Sequence, residues 1–118
     1  NMSMDLAKKT FSTQPDYLIA GNAEIVTAVK EASVALKRGA PVVLSDGKLA
    51  AISVSGSSAP YTVTTTGLYG ILAEDVASGE DGIVYLSGEF FADALVLPAN
   101  ATAADVEVPL RNLGIYLK

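Results

Sequence analysis

Carboxylates concentrate in the second half of the chain, where they could bind a cation or act as an acid and base pair. The pairs Glu74-Asp75 and Glu80-Asp81 flank a short run of small residues, 76–79. Calcium sites and general acid-base catalysis both use such groups. However, the spacing lacks the D-x-[DN]-x-[DN]-G pattern of a calcium loop. We therefore expect a solvated acidic turn over residues 77–82, between two strands, with no metal bound there.

A second candidate for chemistry is Ser87, which is followed by Gly88 and Glu89. A serine nucleophile needs a base to activate it, and the G-x-S-x-G elbow of serine hydrolases is missing around Ser87. We expect Gly88 to form a bulge between a strand and a helix. The stretch Gly67–Gly70 is likewise too sparse for a phosphate-binding loop and is interpreted as a bend.

Composition excludes most enzyme templates. The chain has no histidine and no cysteine, which removes the Ser-His-Asp triad, thiol nucleophiles, disulfides and the commonest transition-metal ligands. We expect a protein that is not an enzyme and has no cofactor. An enzyme built on the five acids named above is a remote alternative.

The charge pattern argues against nucleic acid as a partner. Thirteen acids and eight bases give a net charge of −5. The bases are scattered apart from Lys8-Lys9 and Lys37-Arg38, so no basic stripe is available to follow a phosphate backbone.

A membrane location is not expected either. The uncharged stretch from Leu49 to Ala73 contains glycine, serine, proline and a run of three threonines, unlike a bilayer helix of about 20 apolar residues. Lys8-Lys9 is not followed by the apolar segment of a signal peptide. We expect a soluble chain made in a cytoplasm.

The mean hydropathy of +0.37 is high for a 118-residue chain without a membrane segment. One small core does not easily hide that much apolar surface, so a subunit interface is one explanation. The other is the abundance of alanine, which raises the mean without forming a patch.

Short strands dominate the predicted elements. Asp46-Gly47 between two apolar runs is a strong hairpin signal, Ser55–Pro60 is a loop, and strands are expected over Tyr61–Thr66, Leu68–Ala73 and Ile83–Leu86. Residues 23–36 fit either an amphipathic helix or, through a β-branched cluster, a strand. The pattern predicts a single mostly β domain over residues 22–118.

Helix is expected only near the C-terminus. Thr102-Ala103-Ala104-Asp105 fits a capping box, and Gly114 fits a C-terminal cap. Pro109 lies between them and predicts either a kink or a new helix start. One helical turn is also expected between Phe90 and Pro98, and the chain closes with a strand over Ile115–Leu117.

The first 21 residues lack a usable hydrophobic period. We call residues 1–21 the N-terminal arm and predict that this flexible segment folds against a partner, with Pro15 holding part of it extended. An unattached floppy end is the alternative.

Several segments resemble the head decoration proteins of lambda-like tailed bacteriophages and their prophages. These are GILAEDV (residues 70–76), VYLSGEF (84–90) and LRNLGIYLK (110–118), in that order and spacing. The arm segment LAKKTFSTQPDYLIAG (6–21) and LKRGAPVVL (36–44) are also similar. The resemblance covers nearly the whole chain and is weakest over residues 46–66.

The resemblance implies a capsid protein with a β-clip-like small barrel or sandwich, short C-terminal helices and an extended arm. It also favours the strand interpretation of Glu24–Val29. Such proteins form homotrimers on the outer surface of the expanded head, at local three-fold positions, and clamp the major capsid protein against internal DNA pressure. The implied location is the virion, after synthesis in the host bacterial cytoplasm. We expect the docking residues to be Lys8, Lys9, Thr10, Phe11, Gln14, Pro15 and Tyr17. The sequence does not identify the trimer interface.

The main alternative is a non-catalytic β-rich binding module of a phage tail or bacterial surface that recognises a carbohydrate or protein.

Overall fold

The computed structural model describes Ile19 and residues 25–118, which form a mostly β fold with one α-helix. This confirms the predicted fold class. In this part of the chain the elements are β1 Thr27–Glu31, β2 Pro41–Ser45, β3 Lys48–Ala51, β4 Ser53–Ser55, β5 Thr62–Thr64, β6 Leu68–Leu72, β7 Asp81–Tyr85, β8 Gly88–Phe90, the 3₁₀ turn Ala92–Ala94, α1 Ala103–Asn112 and β9 Ile115–Leu117.

The main sheet has five antiparallel strands in the order β1-β7-β6-β2-β3. Its two edge strands meet at one end, where Ala32 forms a parallel bridge with Leu49 and the Ser33 N–H donates to the Leu49 carbonyl at 2.9 Å. The sheet therefore closes on itself at that end. β4 pairs with β5, and β8 pairs in parallel with β9.

Side chains on the two faces of the sheet enter two different core clusters. We call the first the sheet cluster; its members include Val42, Leu72 and Val84, all fully buried. The second, the helix cluster, contains Ile52, Ile71, Phe90, Val106, Leu110 and Ile115. Alternation along β6 explains the division, because Ile71 and Leu72 point to opposite faces.

The central hairpin forms as its turn residues predict. Asp46 and Gly47 have φ of 53° and 79°, and they join β2 to β3 with Ser45 opposite Lys48. Both positive values match a two-residue hairpin turn, which has the twist that the flanking strands require.

The segment that fitted both helix and strand contains a strand, β1, paired with β7 from Thr27↔Tyr85 to Glu31↔Asp81. It begins later than the Glu24–Val29 range that the resemblance favours, and Glu24 lies outside the described residues. β-branched residues suit a pleated surface beside a neighbouring strand. Pairing with β7, fifty or more residues away, thus decides the conformation.

The uncharged stretch Leu49–Ala73 contains most of β3 and all of β4, β5 and β6. Among the described residues, no helix is both long and apolar enough to cross a bilayer.

The C-terminal helix begins as predicted but does not break at Pro109. The Asp105 carboxylate accepts from the Thr102 N–H at 2.8 Å and from its hydroxyl at 3.0 Å, and Gly114 follows the last turn with φ 95°. α1 runs through Pro109 without a new start. Proline removes one donor to the Asp105 carbonyl, but the burial of Val106 and Leu110 on either side keeps the helix on the sheet.

Replacing Leu110 should therefore be costly. Leu110→Ala is expected to lower the free energy of unfolding by about 2–5 kcal/mol, because a fully buried leucine leaves a cavity. Urea denaturation measures the loss, and Glu107→Ala on the exposed side of the same helix should change it by less than about 0.5 kcal/mol. Equal effects of the two substitutions would contradict the packing described.

Candidate interaction surface

Two of the clustered carboxylates, Asp75 and Glu80, accept hydrogen bonds from backbone N–H groups of neighbouring segments. Asp75 accepts a hydrogen bond from the Arg38 N–H at 2.8 Å and lies 3.9 Å from the Lys37 ammonium. Glu80 accepts from the Ala77 N–H at 3.1 Å. These contacts flank the bridge between Leu36 and Val76, so the two acids stabilise the turn that joins β6 to β7.

The predicted turn at residues 77–82 is present but shorter, because β7 already begins at Asp81. Across Ile19 and residues 25–118, no three or more carboxylates are grouped so as to hold a metal ion.

Ser87 and Glu89 also hold the fold together. The Ser87 hydroxyl accepts from the Val26 N–H at 3.1 Å, and Glu89 pairs with Lys118 at 3.5 Å between the neighbouring strands β8 and β9. The prediction that Gly88 separates a strand from a helix is wrong. Gly88 begins the strand β8, because its parallel pairing with Ile115 places it in a sheet. The predicted helical turn follows later, at Ala92–Ala94.

A shallow groove of about 180 Å³ lies between the segment 35–41 and residues 96–98. Lys37 supplies the single polar side chain of its lining; the remainder is alanine, leucine, valine and proline. The groove therefore offers mainly apolar contact, with the Lys37 side chain as its one charged group.

The predicted docking residues Lys8, Lys9, Thr10, Phe11, Gln14, Pro15 and Tyr17 lie outside the described residues. Within the arm, the structure describes Ile19, which forms an antiparallel bridge with Phe90 and packs against the helix cluster. Residue 19 is thus anchored beside β8, although it falls within the predicted arm.

Nine large apolar side chains are exposed in the part of the chain that the structure describes. Val29 is 58% accessible, and eight others in the described part exceed a third: Ile25, Val26, Val34, Phe91, Val96, Val108, Leu113 and Tyr116. Three of these nine belong to β1 or the two residues before it. The β-branched cluster in that segment was the sequence signal for this surface, which sequence reasoning did not assign to an interface.

In the part of the chain that the structure describes, the outer edge of β1 has no neighbouring strand along Thr27 and Val29. The Val26 carbonyl accepts from Leu86 and the Ala32 N–H donates to Glu80, so even-numbered backbone groups face β7. Because these directions alternate in an antiparallel ladder, the N–H and C=O groups of Thr27 and Val29 point to the other side. No strand in the described residues pairs with them there.

Within the described residues, exposed apolar side chains and backbone groups without a strand partner thus coincide at β1 and the two residues before it. This combination is a template for pairing with another strand.

Neither the family models nor the curated proteins compared with this chain include a match.

Proposed function

We propose that this chain is a head decoration protein of a lambda-like tailed bacteriophage or prophage. It binds as a homotrimer to the outer surface of the expanded capsid at local three-fold positions, contacts the major capsid protein and stabilises the shell against DNA pressure. It is made in the host cytoplasm and resides in the virion.

The observation that carries the proposal is how the three resembling segments meet in the fold. Residues 70–76 and 84–90 contain the pairs Ile71↔Tyr85 and Leu72↔Val84. Residues 84–90 and 110–118 contain the whole β8-β9 pairing, from Gly88↔Ile115 to Phe90↔Leu117. Segments that share one structural unit constrain one another, so their joint resemblance carries more weight than three separate short motifs.

Self-association is supported by the exposed apolar side chains. Nine large hydrophobic residues in the described part of the chain are accessible, and a subunit interface would cover those that lie together. Three-fold assembly would bury part of this surface and also accounts for the high mean hydropathy.

The arm supplies shell contacts. An extended segment can add a strand to a sheet edge of the coat protein, with main-chain hydrogen bonds giving affinity and alternate side chains giving fit. Three arms on one trimer reinforce one another, because docking of the first raises the effective concentration of the others to about the millimolar range.

The direct test uses purified protein with heads of a lambda-like phage that lack their own decoration protein. We expect a solution mass near three times 12.1 kDa in sedimentation equilibrium. We also expect co-sedimentation with expanded heads and not with unexpanded ones. A monomer that binds neither form, or specific retention on a glycan array, would instead favour the β-rich binding module.

A further inference from the structure

Aspartate followed by glycine occurs twice in the chain, at Asp46-Gly47 and at Asp81-Gly82. This pair of residues is chemically labile, because glycine has no side chain to hinder attack by its backbone nitrogen on the preceding carboxyl group. The two copies lie in different surroundings. The first forms the turn between β2 and β3, and the second begins β7.

We propose that Asp46 is a site of spontaneous isomerisation to isoaspartate in the folded protein, whereas Asp81 is protected by its strand. The Gly47 nitrogen attacks Cγ of Asp46 and forms a new N–C bond, while the amide proton and the carboxyl hydroxyl leave as one water molecule. The product is a five-membered succinimide. Water then adds at the original main-chain carbonyl, and the bond from that carbon to the nitrogen breaks. The chain is now linked through the former side chain, and mass and charge are unchanged.

The reacting groups at the turn are accessible. Asp46 and Gly47 are both exposed, and apart from chain neighbours no described atom lies within 4 Å of where a Cβ on Gly47 would stand. The Gly47 N–H makes no backbone hydrogen bond to any residue that the structure describes. Rotation about the Cα–C bond of Asp46, which brings this nitrogen to Cγ, therefore disturbs the turn and leaves the ladders on either side in place.

The same attack at Asp81 would break the sheet. The even-numbered backbone groups of β1 face β7, and Lys30 lies opposite Gly82. The Gly82 N–H therefore donates to the Lys30 carbonyl within the ladder. Gly82 is also buried, and a Cβ there would lie 3.2 Å from a methyl group of Leu72 and 3.5 Å from one of Leu49. Its nitrogen reaches the Asp81 carboxyl group only after β7 separates from β1.

The two sites thus differ in the free energy of the local opening that the reaction requires. Exposed turns open at small cost, whereas the opening of a core strand approaches global unfolding. β7 is such a strand, since it lies between β1 and β6 in the main sheet. Isoaspartate should therefore accumulate at residue 46 while the protein stays folded. This inference goes beyond the proposed function, because the reaction needs neither a capsid nor a second subunit.

Isomerisation at residue 46 would disrupt the central hairpin. Isoaspartate adds one carbon to the main chain, so the two-residue turn with φ of 53° and 79° can no longer form. This turn sets Ser45 opposite Lys48 and is followed by the fully buried Leu49, whose carbonyl accepts from the Ser33 N–H where the sheet closes. Isomerised chains, separated by chromatography, should unfold at a lower urea concentration than unmodified chains. An unchanged midpoint would refute this effect on the hairpin.

The direct test incubates the purified full chain in mildly acidic buffer, because water is lost from the protonated carboxyl group. Peptide fragmentation by electron transfer then distinguishes isoaspartate from aspartate at each site. We expect at least about tenfold more isoaspartate at residue 46 than at residue 81 in the folded protein, and similar amounts in urea, where both segments are open. Equal amounts at the two sites in the folded protein would overturn the proposal, and so would an excess at residue 46 that persists unchanged in urea.

The variants Asp46→Asn and Asp81→Asn form a matched pair with a simpler readout. Asparagine suits the same turn as aspartate, and its succinimide forms with loss of ammonia, so each completed reaction changes the intact mass. Under native conditions the first variant should deamidate at least about tenfold faster than the second, and in urea the two rates should be similar. Similar native rates for the two variants would also refute the proposal.

Discussion

If the proposed function is right, removal of residues 1–15 is expected to reduce binding to expanded heads by at least about a hundredfold, because the proposed docking uses three arms at once. Each main-chain hydrogen bond contributes about 0.5–1.5 kcal/mol net, while ordering each flexible residue costs about 1–2 kcal/mol. A single arm would therefore bind only marginally, and the proposed trimer would depend on three arms acting together. Co-sedimentation over a range of protein concentrations measures the loss.

The shortened chain should keep its circular dichroism spectrum and the same solution mass as the full chain allowing for the deletion, since Ile19 and the two core clusters remain. The matched control replaces residues 1–15 by a glycine-serine segment of the same length, which restores chain length without the arm's side chains. Undiminished binding by either variant would contradict docking through the arm.

Substitution of Gly70 is expected to be the most destabilising single change in the main sheet. A Cβ on Gly70 would overlap the Tyr85 carbonyl oxygen and lie 2.6 Å from a methyl group of Val84. Backbone in a central strand pair cannot move aside as a flexible side chain can. Gly70→Ala should therefore lower the free energy of unfolding by about 3 kcal/mol or more, measured by urea denaturation at fixed protein concentration.

Gly79→Ala is the matched control, because it separates steric overlap from backbone strain. Gly79 has φ 86° and no atom within 4 Å of an added Cβ, so alanine there should cost only about 1–2 kcal/mol. A smaller loss at Gly70 than at Gly79 would show that the close approach of β6 and β7 is wrong.

The sequence predicted the turns and the start of the helix correctly where the signal comes from residues close together in the chain. Asp46-Gly47 predicted the hairpin, because few other residue pairs tolerate two positive φ values. Thr102 and Asp105 predicted the start of α1 for a similar reason, since the capping contacts span three residues. Of the two outcomes predicted at Pro109, the new helix start does not occur, because the local cost of proline is outweighed by the burial of Val106 and Leu110 against the sheet.

Only part of the candidate site could be predicted from local sequence patterns. Carboxylates at 74–75 and 80–81 were correctly interpreted as a turn, since their spacing fits no ligand geometry. The open edge of β1 could not be foreseen, because it depends on which strand lies beside β1 and which side stays unpaired.

The sequence by itself determined that the domain is mostly β and that histidine and cysteine chemistry is absent. It also determined the position of the hairpin turn and the residue at which the C-terminal helix begins. These properties follow from composition and from contacts between near neighbours in the chain. Only the tertiary structure decided that residues 27–31 form a strand, that α1 continues through Pro109, and that Thr27 and Val29 face outward. The reason is that pairing and burial between distant segments exceed local preference in free energy, and their geometry is not encoded in any short window.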